Sequence, residues 1–242
     1  MNIIKLSAIN STNDYLKKLS AGMYVENFTI VTAENQTGGK GQMGAEWNVE
    51  AGKNLTFSIL IKDLLLNINE IFNLNAATAV SIIEALSDFN ITELSIKWPN
   101  DILAGNKKIG GILIENAIKT NGEIFSIVGI GLNVNQIMFD GLPKAASLAT
   151  VTGRQFDKEA ILLAVAEKIK WNVSGLLNRD TTAIWEKYHQ KLYKKEIPMT
   201  FEKDSRKFMG IIKGVTKNGS LKVLLDDDTV AEFRIKEVQL LY

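Results

Sequence analysis

Lys97-Trp98-Pro99-Asn100-Asp101, followed by Lys107-Lys108-Ile109-Gly110-Gly111-Ile112-Leu113-Ile114-Glu115, is the stretch on which the fold of this chain turns. Leu94 to Trp98 reads as a strand, and Pro99 stops it because proline cannot donate to a ladder. Asn100 and Asp101 are thereby delivered to a strand end, where sites in sheet proteins often lie. Taken alone, the pair reads equally as a turn in which Asn and Asp cap their own backbone. Ile109 to Ile114 is a second strand, with Lys108 at its entrance and two adjacent glycines inside it. Glycine weakens a strand unless another backbone or a ligand comes close. Lys108 is therefore a candidate cation held near an anion by a rigid strand, with a solvated lysine before a bend as the plain alternative.

Working outward, Ile124 to Val134 is a third strand. It ends in Gly129-Ile130-Gly131-Leu132-Asn133-Val134-Asn135, whose amides suit ribose, phosphate or metal-water contacts or simply form a turn. On the other side, Phe28 to Ala33 and Leu55 to Ile61 are β-branched or apolar runs and read as strands. Between them, Asn35 to Gly44 holds four glycines and reads as a loop. Within it, Gln36-Thr37-Gly38-Gly39-Lys40-Gly41-Gln42-Met43-Gly44 combines close backbone approach, successive N–H groups that can form an anion-binding nest, and one mobile charge. It is neither a Walker A loop nor a dinucleotide fingerprint, and by itself it is also an ordinary flexible hairpin loop.

Ser11-Thr12-Asn13-Asp14 reads as a helix start, with Ser11 as cap and Asp14 in the positive first turn. Glu70 to Asp88 has helical spacing and predicts an amphipathic helix; Ile161 to Leu176 and Thr181 to Leu192 predict two more. Trp171 and Trp185 read as core, and His189 as packing or surface. From Glu196 to Tyr242 short alternating strands and the Asn218-Gly219 hairpin signal predict a small β-barrel. The resulting expectation is an α+β fold with residues 1–192 as one domain and 193–242 as a second.

The absence of cysteine removes disulfides and thiolate metal sites, and a single histidine makes a catalytic zinc site improbable. A net charge of +1 gives no global field toward nucleic acid or a membrane. Met1 to Lys5 lacks the layout of a signal peptide, and no apolar run is long enough to span a bilayer. A cytoplasmic protein is the expectation.

The four segments, in this order and with Ser11-Thr12-Asn13 ahead of them, resemble the biotin–protein ligase family over nearly the whole chain. The resemblance implies a mixed β-sheet flanked by helices, of the class II aminoacyl-tRNA synthetase and biotin ligase type, with a small C-terminal SH3-like β-barrel. It implies an ATP-dependent ligase that makes biotinyl-5′-adenylate with Mg²⁺ and passes biotin to one lysine of a biotin carboxyl carrier domain. Carried over position by position, it puts Ser11, Thr12, Asn13, Gln36, Lys40, Gly41, Gln42, Lys108 and Gly111 around biotin. Trp47, Lys108 and Asn133 fall near the adenylate, and Lys108, Lys40 and Asp101 become the catalytic candidates, with no fixed protein ligand set for a metal. Many family members carry arginine where this chain has Lys40 and Gln42, so retention of the adenylate is where this chain is expected to depart. No room for a DNA-binding domain is expected ahead of residue 11, hence no DNA partner and no membrane. Members without that domain occur as monomers or homodimers. The rival readings are a lipoate–protein ligase, a non-catalytic biotin- or adenylate-binding module, and a nucleic-acid binder using the C-terminal strands.

Overall fold

The computed structural model describes residues 1–47, 50–62, 72–118, 124–177 and 181–242. Among the described residues the main sheet has seven strands: β1 (Ile3–Ile9), β2 (Ile30–Gln36), β3 (Leu55–Lys62), β4 (Leu94–Lys97), β5 (Asp101–Ala104), β6 (Lys107–Ile118) and β7 (Ile124–Leu132). Their order is β1-β2-β3-β7-β6-β5-β4, with β1 and β2 parallel and every other pair antiparallel, so the sheet is mixed.

Alternation along β3 and β7 gives this sheet two unlike faces. Leu55, Phe57, Ile59 and Ile61, with Val128, Ile130 and Leu132, belong to the large core under α2 (Phe72–Asp88), α4 (Lys158–Leu177) and α5 (Thr182–Gln190). The intervening positions Thr56, Ser58, Gly129 and Gly131 are small or polar; Ser58 and Gly129 lie against α1 (Thr12–Gly22), which packs on β2, β3 and β7. A satellite cluster of Leu16, Val25, Val31, Leu60, Phe125 and Ile127 anchors α1 beside that polar floor.

The helix expected from Glu70 starts outside the described residues, and its visible part corrects the reading. α2 is not amphipathic: Phe72 to Ile83, Ala85 and Leu86 are all buried. It is enclosed by the sheet on one side and by α4 and α5 on the other, so only Glu84, Ser87 and Asp88 near its C-terminal end reach water. Its polar positions are matched outward. Asn73 Oδ1 accepts from Trp185 Nε1 at 2.8 Å, and Ser81 Oγ accepts from Asn172 Nδ2 at 2.9 Å. Asn75 Nδ2 donates to the Pro99 carbonyl at 2.8 Å.

Other differences from the sequence reading are local. β2 runs Ile30–Gln36, because Phe28 has a left-handed φ of 61° and cannot belong to a strand. β1, β5 and α3 (Leu148–Thr152) were not expected, and Asp101 opens β5 instead of following a strand end. Trp171 is 80% exposed on α4, not core, whereas Trp185 is buried.

The C-terminal strands β8 (Pro198–Lys203), β9 (Arg206–Val215), β10 (Leu221–Leu224), β11 (Val230–Phe233) and β12 (Gln239–Leu241) form an antiparallel sheet in the order β11-β10-β9-β8-β12. No ladder joins β11 to β12 among the described residues, so this sheet is open where a closed barrel was expected. The Asn218-Gly219 turn does join β9 and β10, but as a wider loop closed by Thr216 and Ser220, with left-handed φ at Gly219 only.

His189, on α5, ties that helix to β9 of the C-terminal sheet. Its Nε2 accepts the Val215 N–H at 3.1 Å and lies 3.0 Å from the Val215 carbonyl. Burial, with help from Lys195 and Lys222, lowers its pKa from the usual 6.5, although the Val215 carbonyl opposes this. The unfolded chain then binds more protons than the folded one in the window below 6.5. The stabilisation is complete above that value and is lost as pH falls through the lowered one. The thermal midpoint is therefore expected to drop on acidification below about pH 6.5 and to drop less in His189→Gln. Equal pH dependence in both proteins would remove this assignment.

Candidate active site

Each residue of the Lys97-Trp98-Pro99-Asn100-Asp101 stretch is fixed by a different part of the molecule. Trp98 Nε1 donates to the Gly219 carbonyl at 2.9 Å, and the Pro99 carbonyl accepts from Asn75. Asn100 Nδ2 donates to the Ile112 carbonyl at 2.7 Å, and its own carbonyl accepts the Ile112 N–H at 3.0 Å. The outcome is a rigid turn that aims Asp101 across the sheet at its partner Gly111.

The two glycines of β6 have separate tasks. A Cβ on Gly110 would press on the Gly131 carbonyl at 2.9 Å, so that position needs glycine for strand packing. Gly111 faces a cavity, where a Cβ would only reach ordinary contact with Lys108 and Trp47 at 3.6–3.7 Å. Simple alternation would send Lys108 and Gly111 to opposite faces. The register slips there: Ile102 pairs with Gly110 but Leu103 pairs with Lys108, leaving Ile109 as the extra residue of a bulge. The bulge turns Lys108 into the cavity, where Nζ lies 2.5 Å from Asp101 Oδ1, while Asp101 Oδ2 lies 3.3 Å from Lys97 Nζ.

The cavity, of about 250 Å³, is lined by Ser11, Thr12, Asn13, Gln36, Lys40, Gly41, Gln42, Trp47, Asp101, Lys108 and Gly111. Of the residues expected at the site, only Asn133 is missing from this lining. Asn133 follows β7, is buried, and donates through Nδ2 to the Ala146 carbonyl at 2.9 Å. The volume is below the roughly 300–1,000 Å³ of common small-molecule sites. The Trp47 indole accounts for part of that, because it lies directly on Gly131 and leaves no room for a side chain there. Lys108 Nζ sits 5.6 Å above the same ring. Among the described residues the buried Trp47 Nε1 has no hydrogen-bond partner.

Opposite Lys108, the N-terminus of α1 supplies a polar wall. Ser11 caps it by accepting the Asp14 N–H at 3.4 Å. Gln36 Oε1 accepts from Thr12 N at 2.7 Å and from Thr12 Oγ1 at 3.0 Å. Ser58 Oγ lies 2.8 Å from Thr12 Oγ1 and 2.6 Å from Asn13 Oδ1, and Asn13 Nδ2 donates to Glu115 at 2.8 Å. The glycine-rich stretch is a small hairpin, not a slack loop: Trp47 N–H donates to the Gly39 carbonyl at 2.9 Å, and Lys40 bridges to Glu46. Lys40 Nζ is held by both oxygens of Asp14 at 2.8 and 2.9 Å, a hydrogen bond that raises its pKa.

Asp14, Ser58, Lys97 and Glu115 were not named as site residues from the sequence. Lys97 and Glu115 stand in the quoted strand stretches and Asp14 in the quoted helix start, but only their cross-strand and helix-to-strand neighbours show them to be site residues; Ser58 carries no local signal. Taken together, the site offers two lysines already paired with carboxylates, a polar hydroxyl and amide wall, and an aromatic floor. That combination suits a ligand with an anionic end and a neutral polar end.

Comparison with known proteins agrees. The profile of the biotin/lipoate A/B protein ligase family matches residues 6–135. The bifunctional ligase/repressor BirA of Bacillus spizizenii is 28% identical over 195 residues, covering 77% of this chain and 59% of that protein. The biotin–[acetyl-CoA-carboxylase] ligase of Mycobacterium tuberculosis is 30% identical over 142 residues, covering 57% of this chain and 51% of that protein. This chain thus spans little more than half the length of such curated relatives. The structure of biotin protein ligase from Aquifex aeolicus in complex with biotin and ATP superposes with a TM-score of 0.82 and 26% identity, covering 99% of this chain and 98% of that one. With more than half of its length matched by the profile, and the matched half carrying the cavity's hydroxyl wall, hairpin and lysines, the chain belongs to the biotin/lipoate A/B protein ligase family.

Proposed function

We propose that this chain is an ATP-dependent biotin–protein ligase of the cytoplasm. In this reading it joins biotin to ATP, forming biotinyl-5′-adenylate and pyrophosphate, and transfers the biotinyl group to a lysine of a biotin carboxyl carrier domain. The observation that carries the reading is the meeting of Lys108, Trp47, Gln36 and Thr12, from distant parts of the sequence, around one cavity in a fold shared with a biotin- and ATP-bound ligase. Residues 1–192 act as the catalytic domain, and residues 193–242 as an SH3-like module.

In the first step a biotin carboxylate oxygen attacks the α-phosphorus, and the bond to pyrophosphate breaks. Two anions approach, and Lys108 offsets the charge that develops. It leaves Asp101 for the incoming anion, so ligand entry exchanges one anionic partner for another. Ser11, Thr12, Asn13, Gln36, Gly41 and Gly111 surround the neutral ureido ring, whose polar atoms need partners once buried. Trp47 lies against the adenylate, and its free N–H finds an acceptor there. Lys40 holds the hairpin over the mixed anhydride and keeps water from it. Magnesium carried on the ATP phosphates would supply further charge neutralisation there.

In the second step the acceptor amine attacks the anhydride carbonyl, an amide forms, and AMP leaves. Asp101, released by Lys108, orients the neutral amine. The test is incubation with MgATP and a carrier domain, with biotin or lipoate as the acid, together with acid-dependent exchange of pyrophosphate into ATP. Labelling with biotin is expected. Exchange with lipoate alone would move the chain to the lipoate branch, and exchange with neither would end the proposal.

Gln42 lines the cavity without a charge. Gln42→Arg is expected to slow escape of labelled adenylate from the enzyme by about tenfold, through one charge-assisted bond. Escape at the wild-type rate would show that this position does not set retention.

A further inference from the structure

Tyr242 follows β12 and therefore comes from the C-terminal sheet, yet its ring lies beside Lys97 of the catalytic turn and Lys144 of the loop between β7 and α3. Lys97 Nζ sits 5.1 Å and Lys144 Nζ 4.1 Å from the ring centroid. Both lysines lead to the reacting pair. Lys97 Nζ holds Asp101 Oδ2, and the Lys144 carbonyl accepts the Lys108 N–H at 2.7 Å. The ring is itself braced, packing edge-on against Tyr193 with centroids 5.3 Å apart, and Tyr193 Oη donates to Asn106 at 2.7 Å. Burial first, and then the charge of Asp101, raises the pKa of the Tyr242 phenol, as expected for a ring tucked in beside that carboxylate.

Two ammonium groups drawn to one spot repel each other, and the negative face of an aromatic ring offsets that repulsion. We infer that Tyr242 is a positioning residue for the transfer step, clamping Lys97 and Lys144 so that Asp101 stays aimed at the acceptor when Lys108 leaves it. This rests on the biotin-ligase reading. While Lys108 is on Asp101, the carboxylate has two anchors; once Lys108 turns to the ligand, Lys97 is the remaining one of the pair. The clamp therefore matters more to the second half-reaction than to the first.

The test compares wild type with Tyr242→Phe, which keeps the ring, and with Tyr242→Ala and Tyr242→Leu, the latter keeping apolar bulk without the ring face. The first readout needs no enzymatic activity: labelling of Lys97 and Lys144 by an amine-reactive reagent, followed by peptide mass spectrometry. Both lysines are expected to react faster in the Ala and Leu variants and at the wild-type rate in Phe. The second readout sets single-turnover transfer from preformed biotinyl-adenylate to a carrier domain against pyrophosphate exchange. Transfer is expected to fall about tenfold further than exchange in the Ala and Leu variants and to recover in Phe. An equal fall in both half-reactions, or unchanged labelling in the Leu variant, would overturn the inference. If wild type forms no adenylate, the ligase reading fails, and the transfer role fails with it; the labelling still decides whether the clamp exists.

Discussion

Replacing Lys108 with alanine is expected to cut biotin-dependent pyrophosphate exchange by about a hundred- to a thousandfold, the usual loss when a pre-aimed group facing developing charge is removed. Its position explains why so much should hang on one side chain. The bulge at Ile109 turns Lys108 out of the strand's normal alternation, and Asp101 and the Trp47 ring hold it on two sides. A neighbouring lysine cannot take over, because Lys97 reaches the far oxygen of Asp101 and stacks on Tyr242. The loss should fall mainly on turnover, since the charge to be offset grows in the transition state. Exchange within threefold of wild type in a folded Lys108→Ala protein would remove Lys108 from the chemistry.

The second large effect is expected at Gly129, where alanine should lower stability by about 2–4 kcal/mol. For a chain of this size that corresponds to roughly 5–15 °C in the thermal midpoint. A Cβ there would stand 2.9 Å from Asn13 Cγ and 3.0 Å from Nδ2, so the amide must move. Moving it breaks the contact with Ser58 and the bond to Glu115, and strands buried polar atoms. Gly111→Ala is the matched control. Its methyl would find ordinary contacts and narrow the cavity while leaving the fold intact. A Gly129→Ala midpoint within 2 °C of wild type, on a scale set by that same size relation, would show that α1 shifts freely over the sheet.

These residues also show what the sequence could and could not reveal. The turn at Pro99, the paired glycines of β6 and the Ser11 cap were legible, because each depends on local chemistry that neighbours in sequence announce. β1 was not: it is an edge strand with a mixed inward and outward pattern, and its parallel partner lies more than twenty residues away. β5 was hidden by being only four residues long directly after the turn. Helical spacing identified α2 but not its enclosure on several sides from residue 72 to 83, because the sequence does not say how many sides are covered. The cavity's cations were legible as charges. Their partners Asp14 and Asp101, and the aromatic clamp at Tyr242, emerge only once helix, turn and C-terminal sheet are brought together. Asn133 shows the converse: its place at a strand end was legible, but its bond to the Ala146 carbonyl of a neighbouring loop was not.

The enclosure of α2 has a consequence for how the molecule opens. Its side chains are bound to α5 through Trp185, to α4 through Asn172 and to the catalytic turn through Pro99. No small excursion can bring its backbone to water, since each such path requires one of those neighbours to leave. Hydrogen exchange at residues 73–86 should therefore proceed only through global unfolding and give the free energy of the whole fold. The slowest amides of this protein would then be found not on the strands that carry the lysines, but in the helix behind them.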